Sequence, residues 1–251
     1  MKRIVPALLA SLALAGPASA ERLTIAVSAP NVVITSNFIG APITVFGVID
    51  QAPAGATPDR YRVAVLVTGH DENIIARRKD RVAGVWVNDA AATIGAAPAF
   101  YALSSVGPAA ELASQGVLKR LELGFDNIGF TFSGAAGTAS GEFRDAYVRL
   151  KRDAGLYAEQ PSLTFVANNL VFRSSVNIPA NIPVGRYQVL AYVFSAGDLV
   201  ASAQDAIDVS KSGPEGLVSA FARGQSLAYG IICAGLALFV GWAGGVIFRR
   251  D

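Results

Sequence analysis

Cysteine is nearly absent from this chain: Cys233 is the only one in 251 residues, and His70 is likewise the only histidine. One thiol allows no internal disulfide whatever the compartment, so the fold must rest on its core. One thiol and one imidazole also leave no His/Cys ligand set for zinc and no means of attaching a c-type haem. A Ser-His-Asp triad would have to use His70, and no G-x-S-x-G elbow is present. Acidic clusters with calcium-loop spacing are missing as well. The formal net charge is only +2, too little basic excess to point to nucleic acid. Neither a metal nor a cofactor is expected, and an enzyme is the least favoured class.

What the chain has in quantity is apolar residues, 52% of the total, gathered most densely at its two ends. Residues 227–248, LAYGIICAGLALFVGWAGGVIF, carry no charged side chain and are followed by Arg249, Arg250 and Asp251. As a helix rising about 1.5 Å per residue this run would be roughly 33 Å long, against a bilayer core of about 30 Å. A helix also pairs every backbone group that hydrocarbon cannot. At the other end, MKRIVPALLASLALAGPASA places Lys2 and Arg3 before an apolar stretch too short to span, then Ala18-Ser19-Ala20. That is the pattern of a cleaved secretory signal over residues 1–20.

The organisation that follows is an exported domain over 21–209, a juxtamembrane linker or helix over 210–226, a transmembrane helix over 227–248 and a cytoplasmic tail over 249–251. Signal cleavage fixes the orientation, with the domain in the periplasm and the helix in the inner membrane, and Arg249 and Arg250 agree with it. Lys2, Arg3, Arg249 and Arg250 are four of 21 basic residues and Asp251 is one of 19 acidic ones, which leaves 17 against 18 for the exported part, a balance of −1.

Within the exported part the texture is mainly β. RLTIAVSA, NVVIT, PITVFGVID and YRVAVLVTG are short alternating runs broken by Pro30-Asn31 and by the Pro- and Gly-rich loop QAPAGATPDR. The run beginning at Tyr61 is apolar on both faces, as a strand inside a sheet is. NIIARRK and VAGVWVN read as a hairpin turning near Asp80-Arg81. The texture then changes over about 104–159, where helices are expected. AAELAS, with Pro108 at its start and Gly116 past its end, is one, VLKRLEL closed by Gly124 is another, and EFRDAYVRLKRDAG is the clearest. In the last, Phe143, Ala146, Tyr147, Leu150 and Ala154 recur at helical spacing, Ser140 suits the N-cap and Gly155 the left-handed position past the end. Asp145 and Arg149 form an i,i+4 pair, and SGAAGTASG reads as a surface loop. Strands return from Pro161, with a tight turn at Ala196-Gly197-Asp198. Tyr187, after Pro183-Val184-Gly185-Arg186, is placed to fold its hydroxyl back on upstream backbone, as in immunoglobulin-like sandwiches, or simply to pack in a strand. The expected fold is one immunoglobulin-like sandwich with a helical insertion, plus one C-terminal transmembrane helix. Two small β domains are the alternative.

These residues also resemble a known family. Asn37-Phe38-Ile39-Gly40-Ala41 with Thr44-Val45-Phe46-Gly47, and Arg77-Arg78-Lys79-Asp80-Arg81 with Gly84-Val85-Trp86-Val87-Asn88, carry the likeness. Phe100-Tyr101, the helix over 143–157, Leu170-Val171-Phe172-Arg173, Ile182-Pro183-x-Gly185-x-Tyr187, Tyr229-Gly230, Gly241-Trp242 and Phe248-Arg249-Arg250 extend it. Across the mature chain it resembles the alphaproteobacterial "putative transmembrane protein" family, which has no assigned function. The family usually carries Gly-Pro where this chain has Gly69-His70, which argues against a family-wide role for His70. Its members are often encoded near sulfite-exporter-type permeases, so the resemblance implies a permease partner.

Three places have residue types able to do something. His70-Asp71-Glu72 sets a proton-transfer group beside carboxylates, although all three are common in solvated turns. Arg77, Lys79 and Arg81 share one face of an alternating strand with Trp86 close by, and Arg144, Arg149 and Arg152 on the clearest helix are expected to converge on them. Guanidinium forks suit sulfate-like or carboxylate oxygens, so this is a candidate anion or partner-docking site. The ordinary account is a charged edge strand that blocks unwanted pairing. Within the membrane run, Gly230, Ala234, Ala237, Gly241 and Gly244 step by four and three, and Gly245 completes a GxxxG pair with Gly241. That stripe lets another helix approach closely, though small residues are frequent throughout the span. The leading expectation is a membrane-anchored, non-enzymatic accessory protein binding a permease or itself through this helix. The alternative is a periplasmic module that binds or senses small anions through the Arg77 to Arg81 strand.

Overall fold

The computed structural model describes residues 21–53, 55–82, 84–134, 138–166, 170–211 and 221–247. The expected signal segment, the stretch around Pro214 and the tail after Phe248 lie outside the described residues, as does part of the SGAAGTASG loop. In chain order the strands are β1 (Arg22–Val27), β2 (Asn31–Ile34), β3 (Gly40–Asp50), β4 (Tyr61–Thr68), β5 (Asp71–Val82), β6 (Val85–Pro98) and β7 (Tyr101–Ser105). Helix α1 (Gln115–Arg120), β8 (Thr131–Ser133) and helix α2 (Thr138–Asp153) follow. The chain then returns to strand as β9 (Tyr157–Gln160), β10 (Thr164–Phe165), β11 (Val171–Pro179), β12 (Gly185–Ser195) and β13 (Asp198–Lys211), before helix α3 (Ser226–Ile247).

A four-stranded sheet, β1-β3-β11-β10, and a six-stranded one, β2-β13-β12-β4-β7-β9, bury their inner faces in one hydrophobic cluster. Each of the two mixes strands from before and after the helices. Alternation sets the inward residues: Ile43, Val45 and Ile49 from β3, and Tyr187, Val189, Ala191 and Val193 from β12. Apolar on both faces, β4 lies between β12 and β7, in the interior of its sheet. The helical block adds Leu112, Leu118, Leu123, Phe143 and Tyr147 to the same cluster. The described residues are thus mainly β, with a helical block and one apolar helix toward the C-terminus.

The turn at Ala196-Gly197 has both residues at positive φ (52° and 89°), as a two-residue hairpin between right-twisted strands requires. The Tyr187 hydroxyl donates to the Pro183 carbonyl, closing the corner its position indicated. Several local expectations shift. The β5–β6 hairpin turns at Gly84 (φ +88°), where the left-handed conformation is free of steric cost, and not at Asp80-Arg81. AAELAS forms only a 3₁₀ turn over Ala109–Glu111, and Gly116 lies inside α1. α2 starts at Thr138, so Ser140 is within the helix and not its cap. Asp145 lies 3.5 Å from Arg144, the neighbouring residue, in place of the expected pair with Arg149.

The third sheet, β5-β6-β8, positions the candidate site. Thr68 pairs with Tyr101 at the end of β4–β7, and Asp71 with Pro98 at the start of β5–β6. Between them Gly69 N–H donates to Phe100 O (2.9 Å) and Ala99 N–H to His70 O (2.8 Å). The two hairpin legs are therefore one two-stranded ribbon that begins inside the six-stranded sheet and runs out of it.

Candidate functional site

α2 packs beside this ribbon and divides its surroundings in two. At about 100° per residue, Phe143, Ala146, Tyr147 and Leu150 fall on one side, and Arg144, Val148 and Arg152 on another. The first side faces β5 across an open, largely apolar groove of about 510 Å³ lined by Ile74, Ala76, Arg77, Phe143, Tyr147 and Leu150. Leu150, placed in the core by its spacing, is 64% exposed on the rim of this groove. Arg78 crosses from β5 to α2, donating to Glu142 at 2.9 Å with Asp89 3.6 Å away. Both pairs are exposed, and such pairs contribute about 0–1 kcal/mol.

The other side of α2 borders a polar pocket of about 450 Å³ that holds Arg144, Arg149 and Arg152 together with Asp126, Asp145 and Glu159. Arg144 donates to the Phe125 carbonyl, lies near Asp126 and Asp145, and rests over the Phe130 ring. Arg152 lies over Phe125, 5.4 Å from the ring centre. The expected convergence of these arginines on Arg77, Lys79 and Arg81 does not occur, because the helix turns the two sets to different grooves. Three carboxylates beside three guanidiniums also leave that pocket without the positive excess an anion needs.

On the ribbon, Arg77 is opposite Ala91, Lys79 opposite Asn88 and Arg81 opposite Trp86. Paired residues point the same way from an antiparallel ladder, so Arg77, Lys79, Arg81 and Trp86 share one face. A bulge at Asp89 lets the outer pairs keep this arrangement. Asp80 and Val87 pair on the opposite face. Trp86 is 67% exposed and Val85 64%.

Lys151 is the residue that sequence patterning missed. Its Nζ donates to Glu72 Oε2 (3.3 Å) and Ala99 O (3.2 Å) and lies over the rings of Tyr147 and Tyr157. Only 12% of the side chain is exposed. No local spacing links Lys151 to Glu72, 79 residues away. Glu72 is thereby engaged in tethering α2 to the base of the ribbon, while His70 and Asp71 border a separate pocket with Tyr101 and Glu122. Burial pushes the Tyr147 phenol up to about 12 and raises Tyr157 further, with Glu72 adding to both.

α3 is a continuous helix of 22 residues and is long and apolar enough to cross a membrane. Gly230, Ala234, Ala237, Gly241 and Gly244 lie along one stripe of it, with Gly245 beside them. A Cβ added at Gly230, Gly241, Gly244 or Gly245 would meet nothing within 4 Å. The protein family described as "Putative transmembrane protein" matches residues 22–250 of the chain. No curated protein matches it.

Proposed function

The chain belongs to this transmembrane protein family, and we propose that it is a non-enzymatic accessory subunit that binds another integral membrane protein. In this reading residues 21–209 are a periplasmic domain exported by the N-terminal signal, and α3 anchors it in the inner membrane. We read the two larger sheets as an immunoglobulin-like sandwich. The order β1-β3-β11-β10 set against β13-β12-β4, together with the Tyr187 corner, supports that reading.

The observation that carries the function is the groove between α2 and β5. Its walls are apolar, Ile75 and Leu150 stand open at its margin, and β5 is the outer strand of its sheet with only β6 as a partner among the described residues. An extended segment can add to such an edge by main-chain hydrogen bonds and place alternate side chains in the groove, and Arg77 and Lys79 favour acidic ones. A permease of the sulfite-exporter type, implied by the family resemblance, is the partner class. Small free anions fit less well, since the groove that Arg77 and Lys79 line is open and largely apolar and does not include Arg81.

Co-purification of the full chain in mild detergent tests the reading. The expected result is a stoichiometric membrane-protein partner whose retention drops at least about tenfold with Leu150→Asp or Ile75→Asp, as burying an unpaired carboxylate in an apolar contact does. Absence of a partner, or equal retention by both variants, overturns it.

A further inference from the structure

The ribbon and the anchor leave the domain by the same end. β12 is antiparallel to both β4 and β13, so β4 and β13 run the same way, with Thr68 and Ala206 flanking Gln188 on its two sides. β13 continues to Lys211, after which the chain goes on to α3. β4 continues through His70 into β5, so the β5–β6 arm projects from the end where the chain departs for its anchor. Twelve strand residues reach about 40 Å. Of the 14 residues between Lys211 and Ser226, 221–224 are helical, which limits the separation of domain and anchor to about 40 Å. An arm of that length is on the scale of the largest gap the tether allows.

The tip has the composition of a bilayer interface. Val85, Trp86 and Val87 are exposed together at its end, and tryptophan is favoured at the headgroup level, where an amphipathic ring meets both phases. Behind Trp86, on the same face, Arg81, Lys79 and Arg77 are opposed by Trp86, Asn88 and Ala91, with no carboxylate among them. Asp80 projects from the other face, and Arg78, Asp89 and Glu142 are occupied with one another. Charge on an outer strand blocks unwanted pairing, but that does not account for the exposed Trp86 and valines beside it, and a cationic, Trp-tipped face complements anionic lipid headgroups.

We propose that the tip of the β5–β6 arm is a second membrane contact, with Trp86 and its valine neighbours seated in the headgroup region of the anchoring bilayer and Arg77, Lys79 and Arg81 paired with lipid phosphates. This contact needs no protein partner; Arg77 and Lys79 also line the groove, and lipid quenching of Trp86 separates this contact from partner binding.

The test uses the full chain with Trp242→Phe, which leaves Trp86 as the only tryptophan, reconstituted into vesicles with and without about 30% phosphatidylglycerol. The expected result in anionic vesicles is blue-shifted Trp86 emission, quenched by lipids brominated near the headgroup. That quenching should fall by about half or more in roughly 1 M salt, where screening is nearly complete, and in the Arg77→Ser/Lys79→Ser/Arg81→Ser variant with unchanged circular dichroism. Full access to acrylamide with no quenching by bromolipid overturns the proposal. So does protection from acrylamide without bromolipid quenching, which would mean burial against protein. Lipid quenching indifferent to salt and to the triple substitution overturns the phosphate pairing.

Discussion

Lys151 and Glu72 show what single residues conceal. Each looks ordinary in sequence, one a charge near a helix end and the other the last member of His70-Asp71-Glu72, yet together they tie α2 to the ribbon. Arg144 and Arg152 conceal as much: they read as free cations, and the fold engages both with Phe125, by a carbonyl and by a ring face. What a side chain offers a ligand depends on what the fold has already used, and only the assembled structure supplies that. The tyrosines carry a testable consequence. Burial raises Tyr147 and Tyr187 to about 12, while an unfolded phenol titrates near 10. Their neutral forms therefore favour the native state fully below about pH 10. That contribution is lost progressively as pH climbs toward 12, because the unfolded chain gives up phenolic protons the native one keeps. The denaturant midpoint should accordingly hold up to about pH 9 and fall steeply by about pH 11.5, with tyrosinate absorbance rising together with unfolding. Tyrosinate that appears near pH 10 in a fully folded sample would contradict the burial argument.

At the scale of elements, period-two patterning made strands such as β3 and β12 legible, because each of these has one face in the core. Helix boundaries were harder. Ser140 and Gly116 have the right chemistry for caps, but Thr138 starts α2 earlier and α1 swallows the glycine, since packing against the core outweighs a local signal worth about 1 kcal/mol. Leu150 misled for another reason: its spacing is helical, but the wall it should meet is an open groove. Gly47 shows the reverse, a residue whose reason lies on another strand. It pairs with Phe172 of β11, whose fully buried ring covers it, and a Cβ there would lie 2.1 Å from Phe172 Cζ. Since Gly47 needs no special backbone angle, Gly47→Ala isolates the packing term. The expected loss is about 3 kcal/mol by chemical denaturation, the upper range for overpacking a core. Combination with Phe172→Leu should cost less than the sum of the single changes, because the clash vanishes with the ring. A loss below about 0.5 kcal/mol would mean that the strand pair yields easily.

For the whole molecule, the anchor was the most legible feature and the sheet topology the least. A span without charge announces itself in a line of sequence, whereas the pairings of β4 with β12 and β3 with β11 join residues more than a hundred positions apart and leave no local trace. The same distance hid the shared exit of arm and anchor. The proposed function has α3 meet another membrane helix. Lipid tails are as apolar as its side chains, so association must come from close packing, and the stripe from Gly230 to Gly244 is where backbone can approach backbone. Gly241→Leu fills the centre of that stripe at a position where an added Cβ meets nothing within 4 Å outside its own helix backbone, and leucine is a better helix former than glycine. Insertion should therefore be unharmed and the variant should stay in membranes through a carbonate wash. Association in a membrane two-hybrid assay should nonetheless drop to background, whether the partner is a second copy or another protein. Phe239→Ala, on the opposite side of α3 from the stripe, should leave the signal intact. An unchanged signal for Gly241→Leu would show that the stripe is not the contact, and loss in both variants would show that the helix associates without a preferred face.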